Sequence, residues 1–582
     1  MWTRTLPVLL IIFAAWSDSS VTRAADGTEA AILSRTVLRN HCYRCHNSAD
    51  SEGGFDILNR AALDEKSRVV PGKGAESNII AQMKAGRMPP ATIPVRPSPD
   101  EIALVEKWIG QGAIPVPEVT IQVRPQITLV QLLTTIRDHL RNAPRDQRQY
   151  LRYFTLHNLY NHPGIQNNDL IMYRFALSKA LNSLSWKNRI VEPKALDPAQ
   201  TLYVVDLRDL DWDRGEQWNE IMSAYPYGLK YGNHPDPELQ RLDDDIDEEA
   251  HCSLPLIRAD WFVAIATKPP LYHSLLGLPK YAGELEKKLE VNIAANFNDP
   301  KPERISRAAY PKSGISGQNR MVERNEAKYG SYWKSYDFKP ESARAKLTRY
   351  PLGPLNLFPV GKHPYSRQAF VHDGGEIVFN LPNGLQGYFL INGKDERIDE
   401  GPIAVVSDSL KTSGTPAIVT GLSCIACHAQ GMKPFQDTIR LGNGVFGDAE
   451  RKVLSLYPEI PVMDKLLAED TDRFMSALLK TAGPFLPPGT DLKIYPEPVG
   501  EVARWYRLVY LDLETVAHEL DIADPRSIIE KVGEKKLKQL GLENLTKKGG
   551  VIPRTEWEAK EGVSLMQELA RELRYTPYNT VK

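Results

Sequence analysis

Four of the five cysteines of this 582-residue chain fall in two C-x-x-C-H motifs nearly four hundred residues apart. The first is Cys42, Cys45 and His46 in "RNHCYRCHNSA", and the second is Cys424, Cys427 and His428 in "LSCIACHAQG". Each concentrates two thiols and an imidazole within five positions, and any fold of the chain has to serve whatever they hold.

The compartment decides between the chemistries open to such pairs. Arg4 precedes an apolar run from Leu6 to Trp16, and a small-residue site follows at Thr22–Arg23–Ala24. That is the layout of a secretory signal peptide over residues 1–24, cleaved after Ala24 or Ala25. The run is too short to span a bilayer, which takes about 20 apolar residues. No other segment is apolar enough to cross, so the mature chain is expected to carry no transmembrane segment and to be periplasmic or secreted. In an oxidising compartment a C-x-x-C pair can be a disulfide or a redox dithiol, and five cysteines leave one over.

A histidine directly behind both pairs points elsewhere. In C-x-x-C-H the thiols add across the two vinyl groups of a haem, and the adjacent imidazole ligates the iron. A thioredoxin-like pair would need a strand leading into the motif, whereas Ile32, Leu33, Val37 and Leu38 have helical spacing. The expectation is therefore two covalent haem c groups, attached through Cys42 and Cys45 and through Cys424 and Cys427, with His46 and His428 as axial ligands. For the first iron the sixth ligand is read as Met88 in "KAGRMPPA". Pro89 biases Met88 toward extended backbone, and two prolines stiffen the loop. Met83 shares a helical face with Ile79 and Ile80 and reads as core. His/Met ligation raises the reduction potential, as suits an electron carrier.

"SPDEIALVEKWIGQGA" supplies a closing helix. Ser98 is its N-cap, Pro99 its first residue and Glu101 the partner of a capping box; Ile102, Val105, Trp108 and Ile109 form its apolar face. Residues 28–116 thus read as a small all-α cytochrome c module. The series "CYRCH…GGFDI…VVPGKGAESNIIAQMKAGRMPP…SPDEIALVEKWIGQGA" closely resembles the planctomycete-type cytochrome c domain. The resemblance implies haem bound through Cys42 and Cys45, with His46 and Met88 as axial ligands. The remaining chain looks like large secreted cytochromes that pair this module with a second C-x-x-C-H.

The second motif has no MPP-like loop behind it. Met432, four residues after His428, is too close to cross to the opposite haem face. Met463 in "IPVMDKLL" and Met475 in "DRFMSALL" stand at cytochrome-like distances, on helices where a core role competes with ligation. His363 and His372 serve if the iron is bis-histidine, and an open sixth position is a further alternative. Met463 is the ligand carried forward.

Between and beyond the motifs the fold class is multidomain: an N-terminal all-α module, a central α+β region with an antiparallel sheet and a mainly α C-terminal region. Residues 113–126 are a proline-punctuated linker. The central domain spans 127–410, the second haem-binding segment 411–482 and the helical C-terminal domain 500–582. "LVQLLTTIRDHLRNA" and "QRQYLRYFTLHNLYN" read as helices, "TLYVVDLRDL" as a strand, and Glu376–Leu381 with Gly387–Asn392 as a hairpin around Asn-Gly. "RLDDDIDEEAH" reads as a solvated acidic loop able to dock a basic redox partner, and Cys252 as a buried free thiol.

A formal charge of −1 offers no basic field for a polyanion, which argues against nucleic acid. The reading is an exported dihaem c-type cytochrome that transfers electrons to or from a redox partner protein or a small redox-active molecule. One alternative places chemistry at the second haem, as in dihaem peroxidases or another haem oxidoreductase. Another makes the protein a secreted interaction module whose haems sense redox state. No catalytic residue is assigned.

Overall fold

The structure is a computed structural model. It describes residues 30–578 apart from 32–33, 36, 39–40, 43–44, 47–53, 59, 91–95, 115–123, 314, 341–345, 409–411, 443, 494, 548 and 559–563. The expected signal peptide and most of the linker lie outside the described residues. The chain divides into two compact units, 1–121 with 542–552 and 122–541 with 553–582.

In the first unit, helices run over Asn78–Lys84 (α1) and Pro99–Gly110 (α2). The start of α2 follows its sequence. The Ser98 hydroxyl accepts from Glu101 N at 3.2 Å, and the Glu101 carboxylate accepts from Ser98 N at 2.7 Å. Such a cap contributes about 0.5–2 kcal/mol. Val105, Trp108 and Ile109 on α2 share one core with Ile80 and Met83 on α1 and with Val37 and Leu38 ahead of the first motif. Met83 is a core residue, as its spacing predicts.

The second unit begins with Leu129–Asn142 (α3), Leu151–Thr155 (β1), Asn167–Ser183 (α4), Lys194–Ala195 (β2) and Leu202–Asp206 (β3). Pro237–Ala250 (α5), Leu256–Arg258 (β4) and Ala259–Ala266 (α6) follow. The strands form a mixed sheet in the order β2-β3-β1-β4, antiparallel except for the parallel pair β1 and β4. Two sequence expectations fail here. "LRYFT" is strand β1, not helix: every residue of it is buried, so no alternation marks it as a strand. The acidic run is not a loop but part of α5, whose Leu239, Leu242 and Ile246 are buried. Its acids meet cations: Asp243 and Asp247 lie 2.5 and 2.7 Å from Lys230, and Asp245 lies 3.0 Å from Arg141. Cys252 is buried and free, as expected.

A second sheet is antiparallel throughout. Its strands are Ile305–Tyr310 (β5), Arg320–Ala327 (β6), Gly330–Tyr336 (β7), Gly374–Asn380 (β8) and Gln386–Asn392 (β9), in the order β9-β8-β7-β6-β5. The anticipated hairpin is β8–β9, with Val378 opposite Tyr388. One face, carrying Ile305, Met321 and Tyr336, packs into a core with Phe297, Phe370 and Tyr457. Val322, Trp333 and Val378 have the opposite parity and belong to the other face.

The chain continues through Leu422–Cys427 (α7), Ile460–Ala482 (α8), Pro498–Leu508 (α9) and Leu513–Glu519 (α10). Asp470 on α8 fixes the helix to the sheet: it accepts from Arg324 at 2.9 and 3.0 Å and from the Trp333 indole at 2.8 Å. Helix α9 packs on α4, α6 and α7. Among the described residues no helix is long and apolar enough to cross a membrane.

Candidate functional site

The first motif winds as one turn of backbone. Cys42 N donates to Leu38 O at 3.0 Å, and Cys45 N and His46 N donate to Cys42 O at 3.1 and 3.0 Å. The turn therefore folds Cys45 and His46 back toward Cys42. The His46 ring stacks on Phe55 with centroids 4.6 Å apart, and the Arg68 guanidinium covers Phe55 at 4.1 Å. Met88 lies on the turn after α1, ahead of a cis bond to Pro89, and is 40% exposed where Met83 is 6% exposed. Its thioether is not spent on the core. Burial, with Cys45 adding to it, pushes the Cys42 thiol up to about 12. A reactive redox dithiol needs a shift in the opposite direction.

The second motif sits on α7, which starts from Gly421 at φ +82°. A Cβ there would stand 2.4 Å from Thr267 O, so only glycine fits this entry to the helix. His428 N donates to Cys424 O at 2.8 Å, which extends the turn to the imidazole. The His428 Nδ1 lies 3.0 Å from Gly431 O. A carbonyl only accepts, so Nδ1 is the donor of this bond and the ring is oriented with Nε2 on its other side. Metal-ligating histidines are oriented by this kind of bond.

On the Nε2 side, Glu376 Oε1 stands 3.7 Å away and the Tyr388 ring is tilted against the imidazole at 5.7 Å. A cavity of about 480 Å³ opens beside Cys427 and His428, within the usual ligand-site range of about 300–1,000 Å³. Val322, Trp333, Val378 and Phe435 give it apolar walls, and the exposed Lys312 and Lys433 add cations. Such a lining suits a large flat apolar group with anionic substituents, which describes haem with its propionates. Burial alone would raise the Glu376 carboxyl, but His428 and Arg320 outweigh it and hold it at about 2. Arg320 is itself held by Asp337 through two bonds of 2.7 and 2.9 Å. Burial and the Glu376 carboxylate raise the Cys424 thiol well above its ordinary value.

The residues considered for the sixth position of the second iron lie in different places. Met432 lines the cavity. Met463 and Met475 are on α8, buried and half-buried, and neither lines it. His363 is buried between Phe297 and Phe358, with Nδ1 accepting from Tyr365 N at 3.0 Å. His372 is buried edge-on to Tyr336, 3.5 Å from Asp395. Sequence reasoning took Glu376 only as the start of a strand. A lone carboxylate entering the apolar run "GEIVFNL" was the available signal, because a buried strand has no solvent for such a charge. Among the described residues no three His, Cys, Asp or Glu side chains converge as for a bare metal ion.

The cysteine-histidine turn of the first unit, with an exposed methionine on the loop after α1, is the residue set by which a c-type cytochrome domain holds haem. Residues 42–92 match the family model described as Planctomycete cytochrome C, a stretch that holds the first motif and Met88. A domain of this type implies covalently bound haem c and is typically extracytoplasmic. No curated protein and no solved structure matches the chain.

Proposed function

We propose that the protein is an exported dihaem c-type cytochrome that transfers electrons. Cys42 and Cys45 would tether one haem, with His46 and Met88 on its iron; Cys424 and Cys427 would tether the other, with His428 on its iron. The observation that carries the second site is the His428–Gly431 hydrogen bond, which orients the imidazole beside a cavity of matching size. Bound haem supplies a one-electron iron couple whose potential the axial ligands set.

The chain's own part is to hold and tune that couple. Exposed Met88 would raise the first potential and leave its site accessible to a partner protein or small redox molecule. At the second site, Val322, Trp333 and Val378 would give the haem apolar contacts, with Arg320 3.8 Å from Glu376. Export rests on the signal-peptide layout of residues 1–24.

A second reading, a haem oxidoreductase with chemistry at the second site, is favoured by one observation. Among the described residues, the cavity beside His428 is lined by no other histidine, and the methionine on it is Met432. Haem staining of denatured Cys42→Ala/Cys45→Ala and Cys424→Ala/Cys427→Ala variants tests the attachment. Each is expected to keep one covalent haem; a stain unchanged by either pair removes that site.

A further inference from the structure

We propose that a separate cavity, walled by Trp186, Trp212 and Lys288, binds a small organic carboxylate whose apolar body is the size of one ring. The site lies outside both cysteine motifs and does not depend on haem.

Leu184 and Trp186 follow α4, Trp212 comes after β3, and together with Leu276 they give this cavity its apolar walls. Its volume is about 170 Å³. An apolar cavity of about 150 Å³ holds benzene, so the space suits a single ring. The Trp186 indole N–H donates to Leu276 O at 2.7 Å, and the Trp212 indole N–H donates to Leu184 O at 3.0 Å. Both donors are spent on backbone carbonyls, which leaves the two rings to offer carbon surface.

The charge on the wall is Lys288, the last residue of the helix Ala282–Lys288. Its ammonium nitrogen lies 3.6 Å from the centroid of the Trp186 ring, where the π-face attracts a cation. Among the described residues it has no hydrogen-bond or ion-pair partner. The acid lining the cavity, Asp211, pairs instead with Lys187 at 3.5 Å. One positive charge is left over, and a monoanion matches it. Burial pulls the Lys288 ammonium below its ordinary value, and Asp211 offsets this only in part. A bound carboxylate would supply the missing counter-charge.

Gln217 adds a second polar group to the same wall. Its Oε1 is buried and has no hydrogen-bond partner. Buried acceptors are almost always paired, so a hydroxyl on the ligand would complete the site.

The test is isothermal titration calorimetry of the full-length protein with benzoate and with nitrobenzene, its neutral isostere. Benzoate is expected to bind about tenfold more tightly, the scale of a hydrogen bond to a charged group. Lys288→Met keeps an aliphatic chain against Trp186 and removes the charge, and it should bring benzoate down to the nitrobenzene level. A lysine that merely packs on the tryptophan makes no such distinction. Failure of benzoate to bind, equal affinities for the two compounds, or a benzoate affinity unmoved by Lys288→Met would overturn the proposal. The comparison of the two compounds on the unaltered protein decides it even if the variant does not fold.

Discussion

Gly500 on α9 lies flat against Ala426, the residue directly before Cys427 in the second motif. A Cβ on Gly500 would stand 2.9 Å from the Ala426 Cβ. Alanine in a helix gains about 1 kcal/mol over glycine in propensity. Overpacking a close contact costs about 1–3 kcal/mol, so the contact decides the sign. Gly500→Ala should lower the thermal midpoint modestly and leave two haems attached. Gly500→Val should displace α7 and lower the haem content at Cys424 and Cys427 while the first site stays full. Intact mass with calorimetry reads both; full loading and unchanged stability in Gly500→Val would show that α9 does not position the motif.

Met88 and Met83 separate ligation from packing. Met88→Ala should abolish the methionine-to-iron charge-transfer band at little cost in stability, since the side chain is largely outside the core. Met83→Ala should keep the band and destabilise the module by about 2–5 kcal/mol, the range for removing a buried methionine. Absorption spectra and thermal melts distinguish them. A band that survives Met88→Ala assigns the ligand elsewhere.

Acid should weaken the second unit through Glu519. Burial would raise this carboxyl, but Arg258 and Arg554 outweigh burial and hold it at about 2. It accepts from Arg258 at 3.1 Å, from Arg554 at 2.7 Å and from the Trp557 indole at 2.8 Å. The folded value lies below the unfolded one. Its contribution is therefore complete above the ordinary value of 4.5 and is lost as the pH falls toward about 2. Glu519→Gln should be roughly 3–5 kcal/mol less stable at neutral pH, because two buried guanidiniums lose their shared anion. Its melting temperature should also fall less steeply than that of the unaltered protein across this window. Parallel pH profiles would show that Glu519 does not carry the acid sensitivity.

The elements that sequence reasoning found and those it missed differ in one physical respect. Helix α2 is legible because its cap, its proline and its apolar stripe are all local. Strands β5 to β7 are not legible because "ISRAAY" and "RMVERNEA" look hydrophilic. Their charges are paired in the interior: Arg307 with Glu323 at 2.7 Å, Arg320 with Asp337 and Arg324 with Asp470. The partners are 16, 17 and 146 residues away, so no local window shows the neutralisation. The acidic stretch of α5 misled for the same reason, its anions being matched by Lys230 and Arg141. At the second motif the cysteines and His428 declare themselves by spacing. Glu376 arrives from a strand that only the fold brings alongside.

The central claim is two haems covalently held by one chain. Intact-mass spectrometry of denatured protein, matured in a host that attaches haem to C-x-x-C-H motifs, tests it most directly. The account predicts a red species heavier than the processed polypeptide by two haems, falling by one when either cysteine pair is replaced by alanine. A colourless species at the polypeptide mass, or a single haem that survives loss of Cys424 and Cys427, would contradict it.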